Sequence, residues 1–163
     1  MKKIIILGAL LSTIIMGKEI KKPEDVKIGI SQIVEHQALD AAREGFTRAL
    51  KENGYEKAKI DYQNAQGDFG TAQMIGQSFT QGKKDLIFAI STPSAQAAYN
   101  VTKEIPIVIT AVTDPKIAGL TGENITGTSD MMPAYEQLKV AKDILPNLSL
   151  IHISEPTRRV VIS

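Results

Sequence analysis

The stretch that decides the fold is residues 86–114, which read LIFAISTPSAQAAYNVTKEIPIVITAVTD. It begins with a continuous apolar run, passes through the polar turn 91–94 and a helix-like segment, and ends with a second apolar run that reaches Thr113 and Asp114. Continuous apolar runs are typical of strands covered on both faces of a parallel sheet, and two strands joined by a helix predict a right-handed crossover. The two strands would then present hydroxyl and carboxyl groups at the carboxyl edge of one sheet, where α/β proteins bind ligands.

The same alternation of strands and helices extends outward from this stretch. Strands are predicted over 27–31 and 59–62, each followed by a helix whose apolar residues recur every three or four positions. Those residues are Leu39, Ala42, Phe46 and Leu50 in the first helix and Ala72, Ile75 and Phe79 in the second. Beyond Asp114 we expect a short strand over 125–128 and a helix after Pro133, capped by Ser129 or Asp130. The pattern predicts an α/β fold with a doubly wound parallel sheet.

Composition excludes several kinds of chemistry. The 163 residues carry a formal net charge of +1 without a long run of one sign, so no nucleic-acid partner is expected. Cysteine is absent, which removes disulfides, thiol nucleophiles and the usual zinc sites. No GxGxxG or GxxxxGK[ST] motif occurs. We therefore expect no cofactor, no metal and no catalytic residue.

Residues 1–17 have the pattern of a secretory signal peptide. Two lysines precede the uncharged apolar run 4–16, and Gly17 follows it. The run is shorter than the ~20 residues of a membrane-spanning helix, and its length and flanks fit a signal peptide. The alternative is a buried first strand. We expect export to the periplasm or to the extracytoplasmic surface of the membrane.

Polar turns are expected at the carboxyl ends of three predicted strands. Hydroxyls of Ser91 and Thr92, together with free N–H groups at the start of the following helix, suit a carboxylate or a phosphate. Gln32 and Glu35 could accept hydrogen bonds from an α-ammonium group, and Asp114 could supply a second negative charge for it. The alternative is that the serines only cap a helix and that Asp114 only stabilises a turn before proline.

Glu35 and His36 also allow an enzymatic interpretation. They could form an acid–base pair in an enzyme of flavodoxin-like or Rossmann-like shape. Adjacent loop residues need not face each other, however, and the sequence places no nucleophile beside them. We interpret His36 as a residue at the start of a helix or as one that supports the site without contacting a ligand. Asp40, Asp61 and Asp68 are interpreted as solvated or turn carboxylates.

Three blocks of sequence resemble a known family. They are KIGISQIVEHQALDAAREGF (27–46), ISTPSAQAAYNVTKEIPIVITAVTDPKIAGL (90–120) and NITGTSDMMPAYEQLKVAKDILPN (124–147). Together they resemble the tryptophan/tyrosine-type substrate-binding proteins of ABC transporters, which have the type I periplasmic binding protein fold. The resemblance implies two α/β lobes that close on a small amino acid-like ligand, with aromatic amino acids as one candidate class. It also implies a monomer that performs no catalysis and delivers its ligand to a membrane ABC permease.

The resemblance further implies a set of ligand-binding residues and a division into segments. The ligand-binding residues are Gln32, Glu35, Ser91, Thr92, Thr113, Asp114, Ser129 and Asp130, of which the last two rest on the family alone. The expected segments are a signal peptide (1–17), an N-terminal ligand-binding lobe (26–128), the start of the hinge and second lobe (129–147), and a tail that is not native (148–163). In the tail, SLIHISEPTRR resembles translated sequencing-adapter read-through, and the second lobe is expected to be largely missing.

A second alternative keeps the lobe architecture but changes the function. The sensor lobe of a sugar-repressor-type regulator would carry a DNA-binding helix-turn-helix ahead of its first strand. In this sequence the signal-like segment occupies that place.

Overall fold

The computed structural model describes residues 21–145. The expected signal peptide at 1–17 and the expected tail at 148–163 lie outside the described residues, as do the last two residues of the 129–147 segment. After the short 3-10 turn Pro23–Asp25, the elements are β1 Lys27–Gln32, α1 Gln37–Glu52, β2 Lys59–Asn64, α2 Phe69–Gln81, β3 Leu86–Ile90, α3 Thr92–Val101, β4 Ile107–Val112, β5 Ile125–Ser129 and α4 Ala134–Ile144.

The five strands form one parallel sheet in the order β2-β1-β3-β4-β5. The chain moves outward from β1 to β2 and then returns to the other side of β1 to form β3, so the direction of winding reverses between β1 and β3. The predicted α/β fold with a doubly wound parallel sheet is confirmed. In such sheets the crevice at the reversal point, beyond the carboxyl ends of the strands, is where ligands bind. Gln32 and Ile90 are paired at that point.

Helices cover both faces of the sheet. Residues along a strand alternate between the faces, so one strand contributes side chains to both cores. On one face Ile28, Ile30 and Ile90 pack with the apolar side of α1, and Phe46 stacks on Phe88 with ring centroids 4.0 Å apart. On the other face β3 and β4 contribute Ile87, Ala89, Ile107 and Ile109 to a core with α2 and α3.

Gly29 allows α2 to approach the sheet closely. A Cβ at this position would lie 2.6 Å from the ring of Phe79, which is fully buried. Gly127 has a similar role in β5, because a Cβ there would collide with the main chain of Ile109 in β4. The pairing of β4 with β5 is irregular between Ile109 and Val112, where Ala111 takes a φ of +53°.

The helix α4 corrects one prediction. Neither Ser129 nor Asp130 caps it: the helix begins after Pro133, without a side-chain cap. Ser129 instead ends β5, where its hydroxyl is bonded to the neighbouring loop. No residue of α4 is buried, and Tyr135 and Ile144 are 73% and 72% exposed.

A left-handed glycine and the contacts of one carboxylate shape the turns at the amino edge of the sheet. Gly54, with a φ of +84°, follows α1 and has open space where a Cβ would be. Asp85, just before β3, accepts hydrogen bonds from Lys21 Nζ at 2.7 Å and from the N–H of Lys27 at 2.9 Å. Over residues 21–145, no helix has the length and apolar character needed to cross a membrane.

Candidate functional site

Main-chain hydrogen bonds align the loops at the carboxyl edge of the sheet. The N–H of Ser91 donates to the carbonyl of Thr110 at 2.9 Å, and the N–H of Ala65 donates to the carbonyl of Gln32 at the same distance. Next to the outermost strand β5, the N–H of Asp130 donates to the carbonyl of Val112 at the end of β4 at 3.3 Å. The structure therefore brings the expected site residues of β1, β3, β4 and β5 to one edge.

Ser91 has an unusual backbone conformation at the reversal point. Its φ of +88° and ψ of 159° lie in a region populated almost only by glycine, and such outliers cluster at functional sites. Ser91 occupies the N-cap position of α3, but its side chain makes no capping hydrogen bond. The interpretation of Ser91 as merely a side-chain cap is therefore wrong.

Unpaired polar atoms are concentrated around this point. Among the described residues, five buried side-chain nitrogen or oxygen atoms have no hydrogen-bond partner. Four of them belong to the end of β1 or the start of α3, and they are Ser31 Oγ, Gln32 Oε1, Ser91 Oγ and Ser94 Oγ. Buried polar groups in native proteins are nearly always paired, so each exception needs a reason. Their concentration makes the reversal point the candidate binding site.

The start of α3 carries groups that suit a negative charge. The first N–H groups of a helix have no acceptor within the helix, and the helix dipole makes this end positive. Pro93 has no N–H, so Thr92 and Ser94 carry the free donors of the first turn. Together with the unpaired hydroxyls of Ser91 and Ser94, they form a group of donors that suits a carboxylate.

The end of β1 has the opposite character. Gln32, which is fully buried, donates from Nε2 to the carbonyl of Val34 at 2.8 Å and to Asp40 Oδ1 at 2.9 Å. Its Oε1 is buried and has no hydrogen-bond partner. Glu35 is exposed and makes no hydrogen bond within the described chain. This side of the reversal point therefore suits a positively charged donor.

His36 does not form a pair with Glu35. Its Nδ1 accepts a hydrogen bond from the N–H of Ala38 at 3.2 Å, so it caps α1, and its interpretation as a helix-start residue is confirmed. Within residues 21–145 no group of three or more His, Cys, Asp or Glu side chains could hold a metal ion.

The outer expected residues mainly hold loops together. Asp114 Oδ1 accepts from the N–H groups of Lys116 and Ile117 at 2.9 and 3.0 Å, as expected of a turn residue. Ser129 donates from its hydroxyl to the carbonyl of Thr113 at 2.6 Å and accepts from the N–H of Met131. Thr113 and Asp130 are exposed. A groove of about 740 Å³ beside these loops is lined by Asp114, Pro115, Lys116, Leu120, Thr121, Gly122, Ile125, Ser129 and Met131.

Other acidic residues were expected to be solvated or to lie in turns. Asp68 caps α2, and the N–H and hydroxyl of Thr71 hold the pKa of its carboxyl below the ordinary value. Burial acts to raise the pKa of Asp61, but hydrogen bonds from Lys84 and Gln63 and the charge of Lys84 outweigh it and lower that pKa.

Asp40 is the one of these residues that reaches the candidate site. Sequence reasoning missed its contact with Gln32, and the available signal was its place in the first turn of α1, directly after the loop that follows β1.

The fold and this edge are those of an α/β lobe with a candidate ligand-binding site at the reversal point of its sheet. Residues 27–158 match the family described as ABC transporter substrate binding protein, and the chain belongs to that family.

Individual relatives agree with this assignment. The chain is 49% identical over 156 residues to the tyrosine-binding protein of Clostridioides difficile, covering 88% of this chain and 45% of the relative. It is 53% identical (TM-score 0.71) to the ligand-free, open structure of a Clostridium difficile substrate-binding protein with adhesive properties. It is 36% identical (TM-score 0.69) to an ABC domain from Streptococcus pneumoniae in complex with L-Trp. Each structural match covers 75% of this chain and 44% of the other, so the chain spans a little under half the length of its relatives.

Proposed function

We propose that this chain supplies the first ligand-binding lobe of an extracytoplasmic substrate-binding protein, which delivers an aromatic amino acid to the permease of an ABC uptake transporter. Membership of the family supports the general role, and the relatives named for tyrosine or solved with L-Trp support the ligand. The observation that carries the proposal is the set of four unpaired, buried polar atoms at the reversal point of the sheet.

The opposite characters of the two sides suggest how such a ligand is oriented. The α-carboxylate would lie at the start of α3, where the N–H groups and the hydroxyls of Ser91 and Ser94 donate. The α-ammonium would lie at the end of β1, where Gln32 Oε1 accepts and Glu35 contributes negative charge. Thr92 would contact the carboxylate as well. A single ligand would then form charge-assisted hydrogen bonds with the protein through both its carboxylate and its ammonium group.

The outer residues would complete the site from the hinge. In this proposal residues 26–128 form the first lobe and the hinge begins at Ser129, with Asp130, Thr113 and Asp114 lining the approach to the second lobe. The exposed apolar side chains of α4 are consistent with a helix of that second lobe. Closure of the lobes would exclude water and strengthen the polar contacts, and it would present a changed surface to the permease. The protein would act as an exported monomer, with residues 1–17 as its signal peptide, and would bind its ligand without converting it.

Thermal unfolding with added ligands tests the proposal. L-Tryptophan, L-phenylalanine and L-tyrosine should raise the melting temperature, whereas L-leucine, D-glucose and adenosine should have little effect. A ligand at ten times its Kd stabilises the folded state by about 1.4 kcal/mol, which raises the Tm of a domain of this size by about 3 to 5 °C. Stabilisation by the sugar or the nucleoside, with no response to any aromatic amino acid, would refute the proposal.

A further inference from the structure

The side-chain amide of Gln32 is held between two oxygen atoms. Its Nε2 lies 2.8 Å from the carbonyl oxygen of Val34 and 2.9 Å from Asp40 Oδ1. A main-chain carbonyl and a carboxylate can only accept hydrogen bonds. An amide turned the other way would place Oε1 against both acceptors with no proton between them. The chemistry of the neighbours therefore fixes which end of the amide faces them.

This orientation decides what Gln32 can offer to a ligand. An amide nitrogen has two hydrogens, and both are already donated. Only Oε1 remains, and it is buried without a partner. At the reversal point Gln32 can therefore accept a hydrogen bond but cannot donate one. It selects a donor such as an ammonium group.

Asp40 is itself held in place by a cation. Arg43 Nη2 lies 3.6 Å from Asp40 Oδ1, and the guanidinium group of Arg43 lies over the ring of Tyr62, 4.5 Å from its centroid. Tyr62 belongs to β2, the outermost strand on one side of the sheet. Contacts therefore run from Tyr62 through Arg43 and Asp40 to Gln32 at the reversal point. A hydrogen bond to a charged group also polarises the amide and strengthens Oε1 as an acceptor.

We infer that Asp40 is a positioning residue: it holds the Gln32 amide with Oε1 as the group that accepts a hydrogen bond from the α-ammonium of the ligand. The inference rests on the proposed function and adds a residue that makes no contact with the ligand. It separates two roles within α1, because His36 caps the helix and Asp40, one turn later, orients the binding group.

The test compares two ligands that differ only in the amino group. The 163-residue chain, labelled with ¹⁵N, is titrated with L-tryptophan and with indole-3-propionate, which lacks the α-amino group. Asp40→Asn should weaken binding of L-tryptophan by about tenfold, because the amide is no longer held by a charge, and should change the affinity for indole-3-propionate by less than about twofold. Gln32→Met should show the same selectivity with a larger loss. Because both ligands are measured on one protein sample, partial unfolding of a variant would lower both affinities together.

Glu44→Gln is the matched control, since it removes one carboxylate from the exposed side of the same helix. It should leave both affinities unchanged. In Asp40→Asn the side-chain Nε2 proton signals of Gln32 should also move and exchange faster with water, even without ligand. Equal losses for the two ligands, or no loss in Asp40→Asn, would overturn the inference alone. Failure of the wild-type chain to bind either ligand would refute the proposed function, and the inference with it.

Discussion

Replacing Ser94 by alanine should stabilise the empty protein and weaken its binding of an amino acid. Ser94 lies in the first turn of α3 and is fully buried, and its Oγ has no hydrogen-bond partner. A hydroxyl in this state has lost its hydration without compensation. Alanine removes the oxygen and keeps the Cβ, so the packing against the core changes little.

The size of the effect follows from two opposing terms. An unsatisfied buried polar group costs about 1 to 3 kcal/mol. The void left by one oxygen atom, on the order of 10 Å³, costs about 0.2 to 0.3 kcal/mol. The free energy of unfolding of Ser94→Ala should therefore rise by about 0.7 to 2.8 kcal/mol, at about 2 to 4 °C in Tm for each kcal/mol. Urea denaturation followed by circular dichroism at constant pH measures the change.

Thr102 at the other end of α3 provides the matched control. It is also a buried hydroxyl, but its Oγ1 accepts from the N–H groups of Glu104 and Ile105, both at 3.2 Å. Thr102→Val should destabilise the chain by about 1 to 3 kcal/mol, because it leaves these donors unpaired. A destabilised Ser94→Ala variant would show that this hydroxyl is satisfied in the empty protein. A stabilised variant that binds L-tryptophan with wild-type affinity would show that Ser94 does not contact the ligand.

Three further measurements test other parts of the structure. Gly29→Ala should lower the free energy of unfolding by about 1 to 3 kcal/mol, because its Cβ would lie 2.6 Å from the Phe79 ring; an unchanged urea midpoint would contradict this close packing. The lowered pKa of Asp61 means that the carboxylate stabilises the fold above its unfolded pKa, near about 4, and that this contribution is lost as the pH falls through the folded value. Lys84→Met should therefore flatten the loss of stability between about pH 5 and pH 3, and an equally steep loss would refute the assignment. Limited proteolysis with chymotrypsin should cut within α4 before it cuts the rest of residues 27–129, since no α4 residue packs in either core cluster of the described chain, whereas α1, α2 and α3 all do; first cuts in α1, α2 or α3 would contradict this.

Much of the fold was predictable from local patterns. Buried strands such as β3 are continuously apolar, and the helices α1 and α2 have apolar residues at helical spacing. The existence and the order of these elements were therefore predictable from the sequence. The end of α1 shortly before Gly54 was predictable too, since a glycine often follows the last residue of a helix. The edge at which the loops meet follows from the parallel sheet alone.

The chemistry at that edge required the three-dimensional structure. Whether a hydroxyl is paired depends on residues that are distant in sequence: Ser129, proposed as a helix cap, is bonded to the carbonyl of Thr113, 16 positions earlier. A serine at the end of a strand and a serine before a helix look alike in sequence. The positive φ of Ser91 also has no local signature, because it arises where the ends of the separate strands β3 and β4 meet.

The turn at Gly54 offers a place to attach the protein to a surface. It lies at the amino edge of the sheet, and the six residues of β2 separate it from the carboxyl edge by roughly 20 Å. The chain contains no cysteine, so a thiol introduced at the exposed Glu56 in the same turn would be unique. A sensor chip coupled through that thiol would hold every molecule in the same orientation, with the candidate binding edge facing the solution.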